Sequence, residues 1–257
     1  RVLAMKFNNL KFNKDEFKID ESIAYFIGVL HSDGCIYRFK DKKKNRVAIR
    51  LYLGIGKKSL PMAREFQKVL ANSFGKNINI RYAASKNSFI MQTSINRMYS
   101  IFQQWENEKI PLVIRNNFRL FGSYLAGVID GDGYVKYKKH KDGRIQCQIK
   151  ISSAKPLKTL RRLIIHHLKC ACHFEKDINK RGISYNTCFY ISKKNHVFLR
   201  NFIVPYLTMP YKKNRIIEYI LKTGLERFEL SSTGDFRQDR SQWFYLPNAK
   251  SDQNQRF

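Results

Sequence analysis

The sequence is short of several things, and each shortage excludes something. It has no long apolar run: its longest stretches, such as Ile23–Leu30, fall far below the roughly 20 residues a membrane-spanning helix needs, so no membrane partner is expected. It is poor in acid, with 20 Asp and Glu against 49 Lys and Arg, a formal charge of +29. It holds five cysteines in 257 residues, an odd and small number that argues for reduced thiols in an intracellular setting rather than a disulfide scaffold. It opens on Arg1 without a charged-apolar-small leader, which reads as a processed, trimmed or partial product.

What is present narrows the class. With 43% hydrophobic and 14% aromatic residues, the chain is no disordered basic tail. Its length suits one large or two small domains. So large a positive charge persists where a polyanion relieves it. Nucleic acid is the first candidate and an anionic membrane surface the second.

The chain repeats itself. Ser22-Ile-Ala-Tyr-Phe-Ile-Gly-Val-Leu-His-Ser-Asp-Gly34 aligns with Phe121-Gly-Ser-Tyr-Leu-Ala-Gly-Val-Ile-Asp-Gly-Asp-Gly133, at an offset of 99 residues. Each copy leads into two alternating stretches, a long amphipathic stretch opened by proline (Pro61–Phe74, Pro156–Leu168), and two more alternating stretches. Those later strands are expected at Asn77–Tyr82, Ser88–Ile95, Phe174–Asn179 and Ser184–Ile191. The expected fold is α+β: two pseudo-symmetric αββαββα halves over residues 1–105 and 121–230, a linker at 106–120 and a tail at 231–257. That tail has a net charge of only +1, with 243–246 as its apolar anchor.

Period-two alternation gives each strand one apolar and one polar face. In the second half the polar face carries Lys136, Lys138 and His140, then Arg144, Gln146, Gln148 and Lys150, with no acid in either set. In the first half Tyr37, Arg38, Lys40, Arg46, Arg50 and Arg81 are the corresponding candidates. A two-stranded ribbon fits the major groove, where Arg reads guanine and Gln reads adenine, so double-stranded DNA is the expected partner, with intron RNA a second.

The repeated helix has small residues at four-residue spacing: Ala24, Gly28 and Ser32, then Ser123, Gly127 and Gly131. That spacing forms one stripe, which lets two helix backbones approach at the junction of the halves. Asp33-Gly34 and Asp132-Gly133 follow directly, each glycine expected as a left-handed helix stop. Two carboxylates and two negative helix ends would then converge. A divalent cation resolves such a cluster, and hard oxygen donors select Mg²⁺, with Ca²⁺ or Mn²⁺ as substitutes. Asp33 and Asp132 are the expected ligands, with Ser32 and Gly131 beside them. Basic sheets on either side of such a site suit metal-assisted phosphodiester hydrolysis.

Leu125-Ala-Gly-Val-Ile-Asp-Gly-Asp-Gly133 resembles the LAGLIDADG signature of homing endonucleases, and Phe26-Ile-Gly-Val-Leu-His-Ser-Asp-Gly34 resembles a divergent copy. The resemblance covers about residues 20–225. It implies a monomeric, single-chain, pseudo-twofold enzyme whose sheets saddle a long DNA site, whose cuts leave short 3′ overhangs and whose biological role is intron or intein mobility. The host would be an organelle or a prokaryotic cytoplasm. The eighth motif position makes Asp33 and Asp132 the metal-binding acids. At the sixth position Asp130 fits the family but His31 does not, and His31 is expected to make a structural hydrogen bond. Lys109-Ile-Pro111 and Pro205-Tyr-Leu-Thr-Met-Pro-Tyr-Lys212 resemble stretches that carry active-site lysines, which nominates Lys109 and Lys212, with Lys57 next. An RNA-binding maturase or a DNA-binding regulator on the same scaffold remains open. A zinc site among His166, His167, Cys170, Cys172 and His173 is disfavoured, because the spacing matches no zinc motif.

Overall fold

The computed structural model describes residues 18–41, 46–94, 110–179 and 182–225. The first half begins with α1 (Glu21–Asp33), whose amino end is capped where the Asp20 carboxylate accepts from Ile23 N at 2.8 Å. It continues through β1 (Gly34–Asp41), β2 (Arg46–Gly56), α2 (Leu60–Phe74), β3 (Arg81–Ala83) and β4 (Ser88–Ser94). A short α3 (Leu112–Asn116), inside the expected linker, leads to α4 (Phe118–Asp132), capped by Asn117. Then follow β5 (Gly133–Lys139), β6 (Ile145–Ser153), α5 (Lys158–Leu168), β7 (Cys172–Asn179) and β8 (Gly182–Tyr190). A helical segment at 196–206 precedes the last described helix, α6 (Pro210–Lys222). No helix among the described residues is long and apolar enough to cross a membrane.

The strands form two antiparallel four-stranded sheets of identical topology, β1-β2-β4-β3 and β5-β6-β8-β7. One face of each sheet packs on helices and the other stays open. On β2, Leu51, Leu53 and Ile55 are buried, and Phe26 stacks on Phe66 of α2 with ring centroids 4.3 Å apart. On β5 and β6, Val135, Cys147, Ile149 and Ile151 are buried in the same way. α1 and α4 are buried along nearly their whole length, because each touches its own sheet and the other helix. A helix apolar all round belongs at such a junction.

Several boundaries differ from expectation. The stretch at 77–82 forms a strand only over Arg81–Ala83, and α5 starts at Lys158 rather than at Pro156, because Leu157 keeps a non-helical backbone (ψ 69°). Gly34 and Gly133 are not left-handed stops: both are extended (φ −93° and −81°), each being the first residue of a strand. Glycine is needed there for room, since a Cβ at Gly34 would stand 2.6 Å from Leu30 Cα, and one at Gly133 equally close to Ile129 Cα. The tail and its 243–246 anchor lie outside the described residues, as does Lys109.

Candidate active site and nucleic-acid face

The seam forms first. α1 and α4 lie parallel with their small residues in register: a Cβ on Gly127 would stand 3.1 Å from the Gly28 Cα and run into the Tyr25 carbonyl, and one on Gly28 would run into the Tyr124 carbonyl. Ser123 Oγ donates to Glu21 O at 2.5 Å at the amino end. At the carboxyl end a Cβ on Gly131 would meet the Ser32 side chain and would sit 3.2 Å from Asp33 Oδ2. Backbones this close are possible only along the small-residue stripe.

Both helices therefore end side by side, carrying Asp33 and Asp132 to one place. Burial raises the pKa of both carboxylates. For Asp132 the value reaches about 6, through burial first and then the negative charge of Asp33 across the seam. Lys212 pulls both back down. It is 2% exposed, and its ammonium donates to Ile129 O at 2.8 Å, Asp130 O at 2.6 Å and Gly131 O at 3.5 Å. A cation thus sits on the negative end of α4, where Ile129 O also accepts from Gly133 N. Burial lowers the pKa of Lys212, while Asp130, Asp33 and Asp132 raise it.

The donor set fits a hard divalent ion: two half-buried carboxylates and backbone carbonyls of helix ends, with no sulfur or imidazole among them. Ser32 lies at the right place, but its hydroxyl already donates to Gly28 O and Val29 O, and Gly131 contributes its carbonyl. Lys57 is exposed, just beyond the end of β2.

The sixth motif positions differ between the halves. Asp130, 1% exposed, accepts from Tyr25 Oη at 2.8 Å, Thr208 N at 2.7 Å and Thr208 Oγ1 at 2.8 Å, which ties the seam to the segment that positions Lys212. Its counterpart His31 instead pairs through Nδ1 with Tyr124 Oη. The sequence reading gives no role to Tyr25, Tyr124 or Thr208, although the tyrosines stand at equivalent places in the repeat.

The open face of the second sheet carries the expected basic and amide groups. Lys136 pairs with Gln148 and Lys138 with Gln146 across β5 and β6, with both lysines exposed. His140 Nε2 meets Gln146 Oε1 at 2.8 Å, and Arg144, in the turn, pairs with Asp142 at 2.6 Å. The face is not free of acid, however. β7 brings Glu175 and Asp177 to it: Glu175 binds Lys150 through Oε2 and accepts from Gln148 Nε2 at 3.1 Å through Oε1. Bonding to Lys150 holds the Glu175 carboxyl down at about 2. Gln148 is consequently buried, at 5% exposure.

On the first sheet Tyr37 pairs with Arg50, whose Nε and Nη1 donate to the Gln92 amide oxygen at 2.9 and 3.1 Å. Arg81 is exposed, opposite Ile90. In the β1–β2 register Arg38 pairs with Ile49, Lys40 with Val47 and Arg46 with Asp41. The histidine and cysteine residues at 166–173 do not converge either. His167 Nε2 bonds Arg115 O at 2.9 Å and its ring stacks on Phe121, while Cys172 is buried on the helix side.

No family model matches the chain. An uncharacterized protein of Methanocaldococcus jannaschii, MJ0314, is 27% identical over 178 residues, covering 68% of this chain; the chain spans about three fifths (59%) of that protein's length. Among solved structures, the homing endonuclease I-DmoI in complex with DNA and Ca superposes with a TM-score of 0.53 at 16% identity, over 77% of this chain and 97% of that one. A structure of mesophilic I-DmoI variants gives 0.50 at 17% identity, over 71% and 95%. Two antiparallel sheets joined by a parallel pair of motif helices constitute the two-domain fold of the LAGLIDADG homing endonucleases, and this chain has that fold.

Proposed function

We propose that this protein is a site-specific DNA endonuclease that hydrolyses both strands of a long duplex target, acting as a monomer with Mg²⁺ at Asp33 and Asp132 in the service of intron or intein mobility. The observation that carries this reading is the forced approach of two carboxylates across the seam, with Asp132 pushed up to about 6 by burial first and then by Asp33. The crystal structure of I-DmoI in complex with DNA and Ca supports the choice of DNA and a divalent ion.

Each residue then has a task. The open faces of the two sheets would track the major groove, with Lys136, Lys138 and Arg50 supplying base and phosphate contacts. Asp33 and Asp132 would hold the divalent ion. The bound ion supplies Lewis-acid stabilisation of the charge that develops on the phosphate oxygens. Lys212, fixed by three carbonyls, keeps the α4 end neutral and lends positive potential to the same place. The seam sets the spacing between the carboxylates, because Gly28, Gly127 and Gly131 let the two helices meet without side chains between them.

Cleavage is tested with a library of supercoiled plasmids carrying randomised inserts, incubated with Mg²⁺ and read by sequencing the cut ends. The expected result is a family of related sites, each cut on both strands. Asp132→Asn should abolish cutting and retain DNA binding, and full cleavage by that variant in Mg²⁺ refutes the metal assignment. Tight specific binding without any nick would instead identify a regulator on the same scaffold.

A further inference from the structure

The open face of the second sheet holds a side-chain cluster that phosphodiester hydrolysis does not use. Cys188 on β8 stands between Lys150 on β6 and His173 on β7, and Glu175 lies two residues further along β7 on the same face. One ligand atom each from His173, Glu175 and Cys188 lie within 4.8 Å of one another. Among the described residues no other group of three such side chains comes together in this way.

The surroundings hold these groups in place. His173 Nε2 is 3.3 Å from Glu175 Oε1, and the imidazole stacks on Tyr190 with ring centroids 6.1 Å apart. Glu175 turns its other oxygen, Oε2, to Lys150, while Gln148 donates to Oε1 and takes a further bond from its own amide to Tyr190 Oη at 3.0 Å. A carboxylate oriented by a lysine and an amide is the outer-sphere support that metal ligands usually have. A nucleophilic role for the cysteine fits less well. Burial first, and then Glu175, push the Cys188 thiol up to about 12, whereas reactive thiols lie in surroundings that favour the thiolate.

We propose that His173, Glu175 and Cys188 bind one Zn²⁺-type ion on the open face of the second sheet, apart from the aspartate pair at the seam. One sulfur, one imidazole nitrogen and one carboxylate oxygen form a mixed donor set that suits zinc and not Mg²⁺. Three protein ligands leave a fourth tetrahedral position, which on this face points away from the helices. The assignment does not depend on the endonuclease reading.

Co²⁺ is the probe, added to the metal-stripped full chain. One equivalent should give a thiolate-to-cobalt charge-transfer band with intense tetrahedral d–d bands, and Zn²⁺ should abolish both. Oxygen ligands at the seam cannot produce the sulfur band, so Asp33→Asn with Asp132→Asn should retain it. Cys188→Ser should remove it and weaken Zn²⁺ binding in a chelator competition by at least about tenfold. His173→Ala, at a largely exposed ring, should weaken binding to a similar extent without touching the core, and Cys35→Ser should change nothing. Absence of the band in the unaltered chain, or a band that survives both Cys188→Ser and His173→Ala, overturns the proposal.

Discussion

Gly28 and Gly127 meet backbone to backbone, each at the level of the carbonyl of the other helix's tyrosine, Tyr124 or Tyr25. Helix propensity alone would make alanine better at either position by about 1 kcal/mol. The collision with backbone atoms reverses that sign. Gly28→Ala should therefore lower stability by about 2–3 kcal/mol in urea unfolding. Gly56→Ala, where a Cβ meets nothing within 4 Å, should change it by less than about 0.5 kcal/mol.

Asp132 sets a pH dependence whose sign is fixed. Its pKa in the folded chain, about 6, lies above the ordinary 3.8, so folding favours the protonated acid. The stability this provides is complete below about pH 4 and is lost as pH rises through about 6. Asp33 shifts in the same direction. In chelator, the melting temperature should fall between about pH 4 and pH 6 and level off above, and Asp132→Asn should flatten that slope while raising stability at pH 7 by about 1–2 kcal/mol. A divalent ion requires the ionised pair, so with Mg²⁺ present the cleavage rate should show the opposite trend and decline as pH falls through about 6. A melting temperature independent of pH would mean that neither acid is held above its ordinary pKa.

Lys212 serves both stability and the site. Lys212→Met keeps much of the buried stem but removes the bonds to the Ile129 and Asp130 carbonyls, of which Ile129 O keeps its bond from Gly133 N, for an expected loss of about 2–4 kcal/mol. Cleavage should fall at least tenfold at a temperature where the variant is still folded, as checked by circular dichroism. If stability drops and the cleavage rate of the folded fraction does not, the lysine is a helix cap alone.

The acid on the second sheet makes a contrary prediction about affinity. Glu175→Gln removes the partner that occupies Lys150 and so should tighten DNA binding severalfold while steepening its salt dependence. Lys136→Ala and Lys138→Ala should each weaken binding and flatten the salt slope by about one counterion. Fluorescence anisotropy across a salt series measures all three.

The repeat, the stripe of small residues and the paired acids were legible because each follows a short period along the chain. Gly28, Gly127, Asp33 and Asp132 are fixed by helical spacing alone. Facts that depend on pairing between distant strands were not legible. Glu175 reaches the basic face through β8, whose pairing with β7 no short period along the chain reveals. Lys212 was one of 49 basic residues, yet a signal was available. It stands four, seven and eight residues before Ile216, Tyr219 and Ile220, on the buried stripe of α6, where a lysine needs partners. Lys57 has no such neighbours and lies exposed.

The repeat is not a perfect mirror. The residue 99 positions before Lys212 is Val113, which is 47% exposed, and the tyrosine pairs with histidine in one half and with Asp130 in the other. Two copies of the second half, joined as a dimer, would crowd a pair of Lys212 ammonium groups into one narrow space. The two halves are thus not interchangeable at the seam: Tyr124 meets a histidine where Tyr25 meets a carboxylate.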